Sequence, residues 1–170
     1  MKPAFTSIAG VEEGIVACML RNSYAKLLET DPFWQSECAN WEQYDKEVFT
    51  NPETVGASIL LTRVDGKIAG FASWDPRQFP EYGIIGHNCV LPDFRGRGLG
   101  KMQITEVLRR LQVLGIRTVK VSTNDHPFFL PAHQMYTACG FHEVQRKPWE
   151  QDRDNMIIYY ELDLEAQGVH

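Results

Sequence analysis

The stretch Val90-Leu91-Pro92-Asp93-Phe94-Arg95-Gly96-Arg97-Gly98-Leu99-Gly100-Lys101 joins two patterns of different period. Residues 82–91 read as a strand, closed by Pro92. From Leu99 onward, Ile104, Val107, Leu108, Leu111 and Leu114 follow a helical stripe that Gly115 ends. Between the two, Gly96, Gly98 and Gly100 remove side chains where the backbone turns into the helix. The first turn of a helix leaves its N–H groups without partners, and the helix dipole favours an anion there. A glycine-rich approach lets a phosphate come close to those donors, and Arg95, Arg97 and Lys101 add positive charge beside it. Physically, this is a cradle for a pyrophosphate. The alternate-glycine spacing does not fit the dinucleotide fingerprint GxGxxG. Gly100-Lys101 is followed by Met102, which cannot serve the magnesium role of the Ser or Thr in a phosphate-binding P-loop.

Working outward, residues 58–64 and 67–74 read as two strands joined by the hairpin turn Asp65-Gly66. Upstream, Val16, Leu20, Tyr24, Leu27 and Leu28 recur at helical period and predict one helix over 11–30, stopped by Asp31-Pro32. A second helix is predicted over 41–49. Downstream, 118–122 reads as a short buried strand. After a loop containing Pro127 and Pro131, Ala132, Met135, Tyr136 and Cys139 mark a short helix ended by Gly140. Strands over 141–146 and 156–164 close the chain. The order, with its strand–helix–strand crossover, implies a mixed sheet covered by helices.

A chain of 170 residues with no visible linker or repeat predicts one domain across 1–170. No apolar run is long enough to span a bilayer and no secretory signal is visible at the start, so a cytoplasmic protein without membrane contact is expected. The net charge of −5 argues against a nucleic-acid partner, which would need a broad basic face. Cys18, Cys38, Cys89 and Cys139 form no CxxC pair and predict free, mostly buried thiols. His126 and His133 straddle two prolines in a poor pattern for metal, so no metal site is expected.

The central stretch resembles the GNAT family of N-acetyltransferases. Arg95-x-x-Gly98-x-Gly100 matches the family's Gln/Arg-x-x-Gly-x-Gly/Ala signature, preceded by Val90-x-Pro92, its usual strand ending. Ala132-x-x-x-Tyr136-x-x-x-Gly140-Phe141 resembles its second signature. The resemblance covers roughly residues 55–164; the N-terminal helices match in kind only. It implies an α/β (α+β) fold with a mixed, mostly antiparallel central sheet of about six to seven strands flanked by helices. It also implies acetyl-CoA as co-substrate and a small-molecule or peptide amine as acceptor. Because members of the family often form dimers, it is compatible with a homodimer.

By the same resemblance, backbone N–H groups of Arg97, Gly98, Gly100 and Lys101, with Gly96 nearby, are expected to hold the CoA pyrophosphate. Arg95 is expected to brace the loop rather than touch the phosphate. The strand end Cys89, Val90 and Leu91 is expected to face the pantetheine arm and to polarise the acetyl carbonyl. Tyr136 is expected near the CoA sulfur as general acid, although its helical spacing also suits a core aromatic. The general base stays open among His87, Asp125 and Glu81, or a water chain. Strand alternation puts His87 on the face opposite Val90, which argues for a structural role. The asparagine that many members carry seven residues before the tyrosine is Phe129 here; Asn124, further back, is the candidate in its place. Phe33, Trp34, Trp41, Trp74 and Tyr82 are candidates to line an acceptor pocket, and equally ordinary core material. A longer acyl group, an alcohol acceptor, or an acyl-CoA-binding module without turnover are the competing readings.

Overall fold

The structure, a computed structural model, describes residues 1–152 and 154–166; residues 167–170 of the expected domain lie outside them. It begins with a strand that the sequence reading does not contain. Strand β1 (Ala4–Thr6) pairs antiparallel with β2 (Ile59–Val64) through Phe5↔Thr62. Three residues carry too little periodicity to be read as a strand; pairing with a distant partner makes them one. The helix predicted over 11–30 is two helices, α1 (Ile15–Ser23) and α2 (Ala25–Thr30), broken at Tyr24. Asp31 accepts from the N–H of Phe33 and opens a 3₁₀ turn, Pro32–Ser36, which runs into α3 (Glu37–Thr50), longer than predicted.

By contact, the chain divides into two compact units, residues 1–73 with 87–103 and residues 74–86 with 104 onward. In the first, β2 pairs antiparallel with β3 (Lys67–Asp75) from Ile59↔Ser73 to Val64↔Lys67. The turn between them is the Asp65-Gly66 hairpin, with φ of 50° and 78°. Its core is built from Val16, Met19, Leu20, Trp41, Val48, Ile59, Leu61, Phe71 and Cys89. The start of α1 has its donors satisfied from elsewhere in this unit. Asp45 on α3, itself buried, accepts from the N–H groups of Gly14 (2.8 Å), Val16 (2.8 Å) and Ala17 (3.0 Å).

Strand β4 (Gly83–Val90) and helix α4 (Leu99–Val113) each contribute residues to both units. In the second unit, the start of β4 pairs parallel with β5 (Thr118–Asn124) through Gly83↔Val119 and Ile84↔Lys120, as a helical crossover requires. Helix α5 (Leu130–Ala138) follows, then β6 (His142–Pro148) and β7 (Met156–Asp163). Strand β7 pairs antiparallel with both β5 and β6. The strand order is β1-β2-β3-β4-β5-β7-β6, a seven-stranded mixed sheet of the expected class. Ile104, Val107 and Leu111 of α4 are fully buried, as their spacing predicts. Cys89 and Cys139 are buried, but Cys18 is exposed and Cys38 half-buried, so the thiols are less sequestered than expected. Among the described residues no helix is long and apolar enough to cross a membrane.

Candidate functional site

The glycine turn lies in the first unit and leads into α4. Gly96 and Gly98 have φ of 75° and 76°, a region that side chains rarely adopt, which explains two of the three glycines. At both, a Cβ would point into open space, with no atom within 4 Å. The turn is therefore not filled by its own side chains, and the space into which the missing Cβ atoms would project is open. The two arginines are turned back onto the main chain. Arg95 donates from Nε to the carbonyl of Val90 (3.1 Å) and from Nη2 to that of Ser23 (2.6 Å). Arg97 donates to the carbonyl of Asp93 (3.2 Å), with its guanidinium 5.6 Å from the centre of the Phe94 ring. Lys101 is exposed on the first turn of α4, and Gly100 is half-buried beside it.

The strand end is held by side chains. Val90 O accepts from Arg95 and also from Ser23 Oγ (3.3 Å). Cys89 O accepts from Gln103 Nε2 (3.2 Å), and the same amide donates to Phe71 O (2.7 Å). Gln103 is 1% exposed, and its Oε1 has no hydrogen-bond partner among the described residues. Leaving such an oxygen bare costs about 1–3 kcal/mol, so the two carbonyl contacts must outweigh it. Leu91, expected among the backbone donors, is committed elsewhere: its N–H goes to Ala69 O (2.8 Å) and its carbonyl accepts from Phe94 N–H (2.9 Å). The Leu91 N–H therefore has no capacity left for a ligand. Burial pushes the pKa of the Cys89 thiol up to about 11.

His87, on β4, packs against Tyr44 of α3 with ring centroids 4.8 Å apart and planes at 49°. It keeps an accessible face. Surrounding protein atoms nevertheless desolvate the ring and lower its pKa below the ordinary 6.5, with the Glu37 charge opposing. That shift favours the neutral imidazole, the form able to take a proton. Tyr44 is pushed up to about 12, by burial first, with a hydrogen bond to Ser73 acting the other way.

The other candidates lie in the second unit. Tyr136 on α5 is 4% exposed, and its ring meets Phe141 edge-on (5.8 Å, 73°) and Tyr160 (6.2 Å, 43°). Asn124, at the end of β5, is buried; its Oδ1 accepts from His126 N–H (2.7 Å), while Nδ2 has no partner among the described residues. Asp125 is pinned to β7: its carboxylate accepts from Met156 N–H (2.8 Å) and its own N–H donates to Met156 O (2.9 Å). Glu81 is exposed. Of the proposed pocket aromatics, Trp34, Trp41 and Trp74 are buried at 7%, 2% and 9%, and Trp41 stacks near Tyr24 at 5.1 Å. Tyr82 carries Lys120 over its ring at 4.2 Å.

Sequence reasoning missed Ser23, Tyr44 and Gln103. Ser23 and Tyr44 carry no motif. Gln103 does leave a trace, a polar residue one position before Ile104 on an otherwise apolar helix face.

A sequence model of the acetyltransferase (GNAT) family matches residues 21–141. No curated protein matches the chain in sequence. Many solved structures are similar. A GNAT-family protein from Desulfovibrio desulfuricans is 18% identical with a TM-score of 0.77, over 95% of this chain and 99% of that one. The ribosomal-protein-S18-alanine N-acetyltransferase of Escherichia coli is 16% identical with a TM-score of 0.67, over 96% and 94%. The protein yncA of Salmonella typhimurium, solved with its cofactor acetyl-CoA, is 14% identical with a TM-score of 0.63, over 95% and 94%.

Proposed function

The chain belongs to the acetyltransferase (GNAT) family, and on that premise we propose that it transfers an acetyl group from acetyl-CoA to a primary amine by direct attack. The observation that carries this reading is the unfilled turn at Gly96 and Gly98, leading into the first turn of α4. Main-chain N–H groups of residues 96–101 would grip the pyrophosphate of the co-substrate there. One of the similar structures holds acetyl-CoA, which supports the same choice for this chain. Another is named for acting on an alanine amine, which supports an amine acceptor.

In the proposed reaction the acceptor nitrogen forms a C–N bond with the acetyl carbon and the C–S bond breaks. The strand end at Cys89 and Val90 meets the negative charge that develops on the carbonyl oxygen. Tyr136 donates its phenolic proton to the departing thiolate and is reprotonated through solvent, into which the nitrogen sheds its second proton once the C–N bond has formed. His87 accepts the proton that the ammonium must lose. It is favoured over Asp125 because its side chain is exposed and the direction of its pKa shift favours the neutral form, whereas one oxygen of the Asp125 carboxylate already accepts from the Met156 amide. Asn124, with an unpartnered donor at the end of β5, is proposed to bond the co-substrate.

Incubating the protein with acetyl-CoA and a panel of amines, and following free thiol, tests the reading. Amine-dependent thiol release is expected. CoA binding without release on any amine would favour a binding module; no affinity for CoA would end the proposal.

A further inference from the structure

Resting on that reading of the strand end, we propose that Gln103 is a positioning residue that aims the Val90 N–H at the acetyl carbonyl. The Cys89 carbonyl is constrained on two sides. Gln103 Nε2 donates to it at 3.2 Å and is itself anchored on Phe71 O at 2.7 Å. On another side lies Gly70, where a Cβ would stand 2.1 Å from the Cys89 oxygen, so only glycine lets that oxygen occupy its place. Two carbonyls demand donors, which fixes the amide with its NH₂ toward them.

The peptide joining Cys89 to Val90 is trans. A trans peptide is planar and its N–H points opposite to its C=O. Holding the Cys89 oxygen toward Gln103 and Gly70 therefore holds the Val90 N–H on the opposite side. The carbonyl of the next peptide, Val90–Leu91, is fixed as well, by Arg95 Nε (3.1 Å) and Ser23 Oγ (3.3 Å), so the units on both sides of the Val90 Cα are restrained. Gln103 is 1% exposed, so its amide is shielded from bulk solvent. It acts through Val90 and needs no contact with substrate.

Gln103→Met keeps the volume and removes both hydrogen bonds. Three measurements compare it with wild type: the Val90 amide resonance in ligand-free protein, CoA affinity by calorimetry, and kcat for amine-dependent thiol release. The Val90 amide is expected to move more than amides elsewhere in the chain. CoA affinity should stay within about threefold. The value of kcat should fall by about tenfold or more with KM for acetyl-CoA little changed, since a misaimed donor loses part of what removing it would lose. An unmoved Val90 amide, or an unchanged kcat, overturns the proposal. If wild type itself releases no thiol, the acetyl-transfer reading fails, while the ligand-free Val90 resonance still decides whether Gln103 orients that peptide. Should Q103M not fold, Q103E decides. Its buried acid donates only while protonated, so its kcat should fall with rising pH where wild type's does not; parallel profiles overturn the proposal.

Discussion

The guanidinium of Arg95 donates to the main-chain carbonyl of Ser23 at 2.6 Å, across 72 residues of sequence. Ser23 is the last residue of α1, and the helix breaks at the next one. The arginine that the family signature places in the glycine turn thus reaches the end of the first helix, and its Nε holds the Val90 carbonyl at the same time. Two donors in a rigid fork make this bridge, and lysine offers a single ammonium that cannot span both carbonyls in the same geometry. Arg95→Lys is expected to lose one hydrogen bond, about 1 kcal/mol. CoA affinity should then weaken by roughly fivefold to tenfold, read by calorimetry. Unchanged affinity would mean that the bridge does not shape the turn.

Gly98 sits at φ 76° with nothing within 4 Å of its missing Cβ. Alanine there costs roughly 1–2 kcal/mol of backbone strain, while in the folded protein its methyl would occupy only open space. Valine projects further into the same space. Both variants are therefore expected to fold, and Gly98→Val should lose CoA binding far beyond Gly98→Ala. Equal effects from the two would show that strain, not the occupied cradle, governs binding.

The strands, the hairpin and α4 were legible because each is written locally: a short apolar, β-branched run in 58–64, a turn dipeptide at Asp65-Gly66, an apolar stripe from Ile104 to Leu111. The glycine turn was legible for the same reason. What was not legible depends on partners distant in sequence. Strand β1 exists through its pairing with β2. The break at Tyr24 falls where Arg95 takes the Ser23 carbonyl. The commitment of Leu91 to Ala69 and Phe94, and the burial of Gln103 against the Cys89 carbonyl, follow from how β3, β4 and α4 meet in the first unit. His87 could be placed on a face by alternation, but its packing on Tyr44 could not.

Asp45 satisfies three N–H groups at the start of α1 from a different helix. Asp45→Ala leaves the buried donors of Val16 and Ala17 bare, which is expected to cost about 3 kcal/mol and to lower Tm by roughly 6–12 °C. Asp45→Asn keeps an acceptor but loses the charge and should fall between the two. A Tm within a degree of wild type for Asp45→Ala would show that the helix start does not depend on this carboxylate.

The lowered pKa of His87 has consequences for stability and for rate. Between the ordinary value of 6.5 and the lowered one, the unfolded chain binds a proton that the folded chain does not. Stability should therefore fall as pH falls through that window. His87→Gln should remove this contribution, read as a flatter dependence of Tm on pH below 6.5. If the neutral ring is the base, acetyl transfer should rise with pH along a limb that inflects below 6.5 and should lose that limb in His87→Gln. A limb that survives the substitution would move the base to another group.

Tyr136 separates the acid role from packing cleanly, because Phe retains the ring that meets Phe141 and Tyr160. Tyr136→Phe removes only the hydroxyl. General acid catalysis is worth on the order of 10²–10⁴ in rate, so kcat should fall by at least about a hundredfold while CoA affinity holds. The loss should shrink for acyl donors whose thiol leaves as a more stable thiolate, because such a group needs less help from a proton. Full turnover by Tyr136→Phe at every pH would leave the ring as core packing and the thiolate protonated by water.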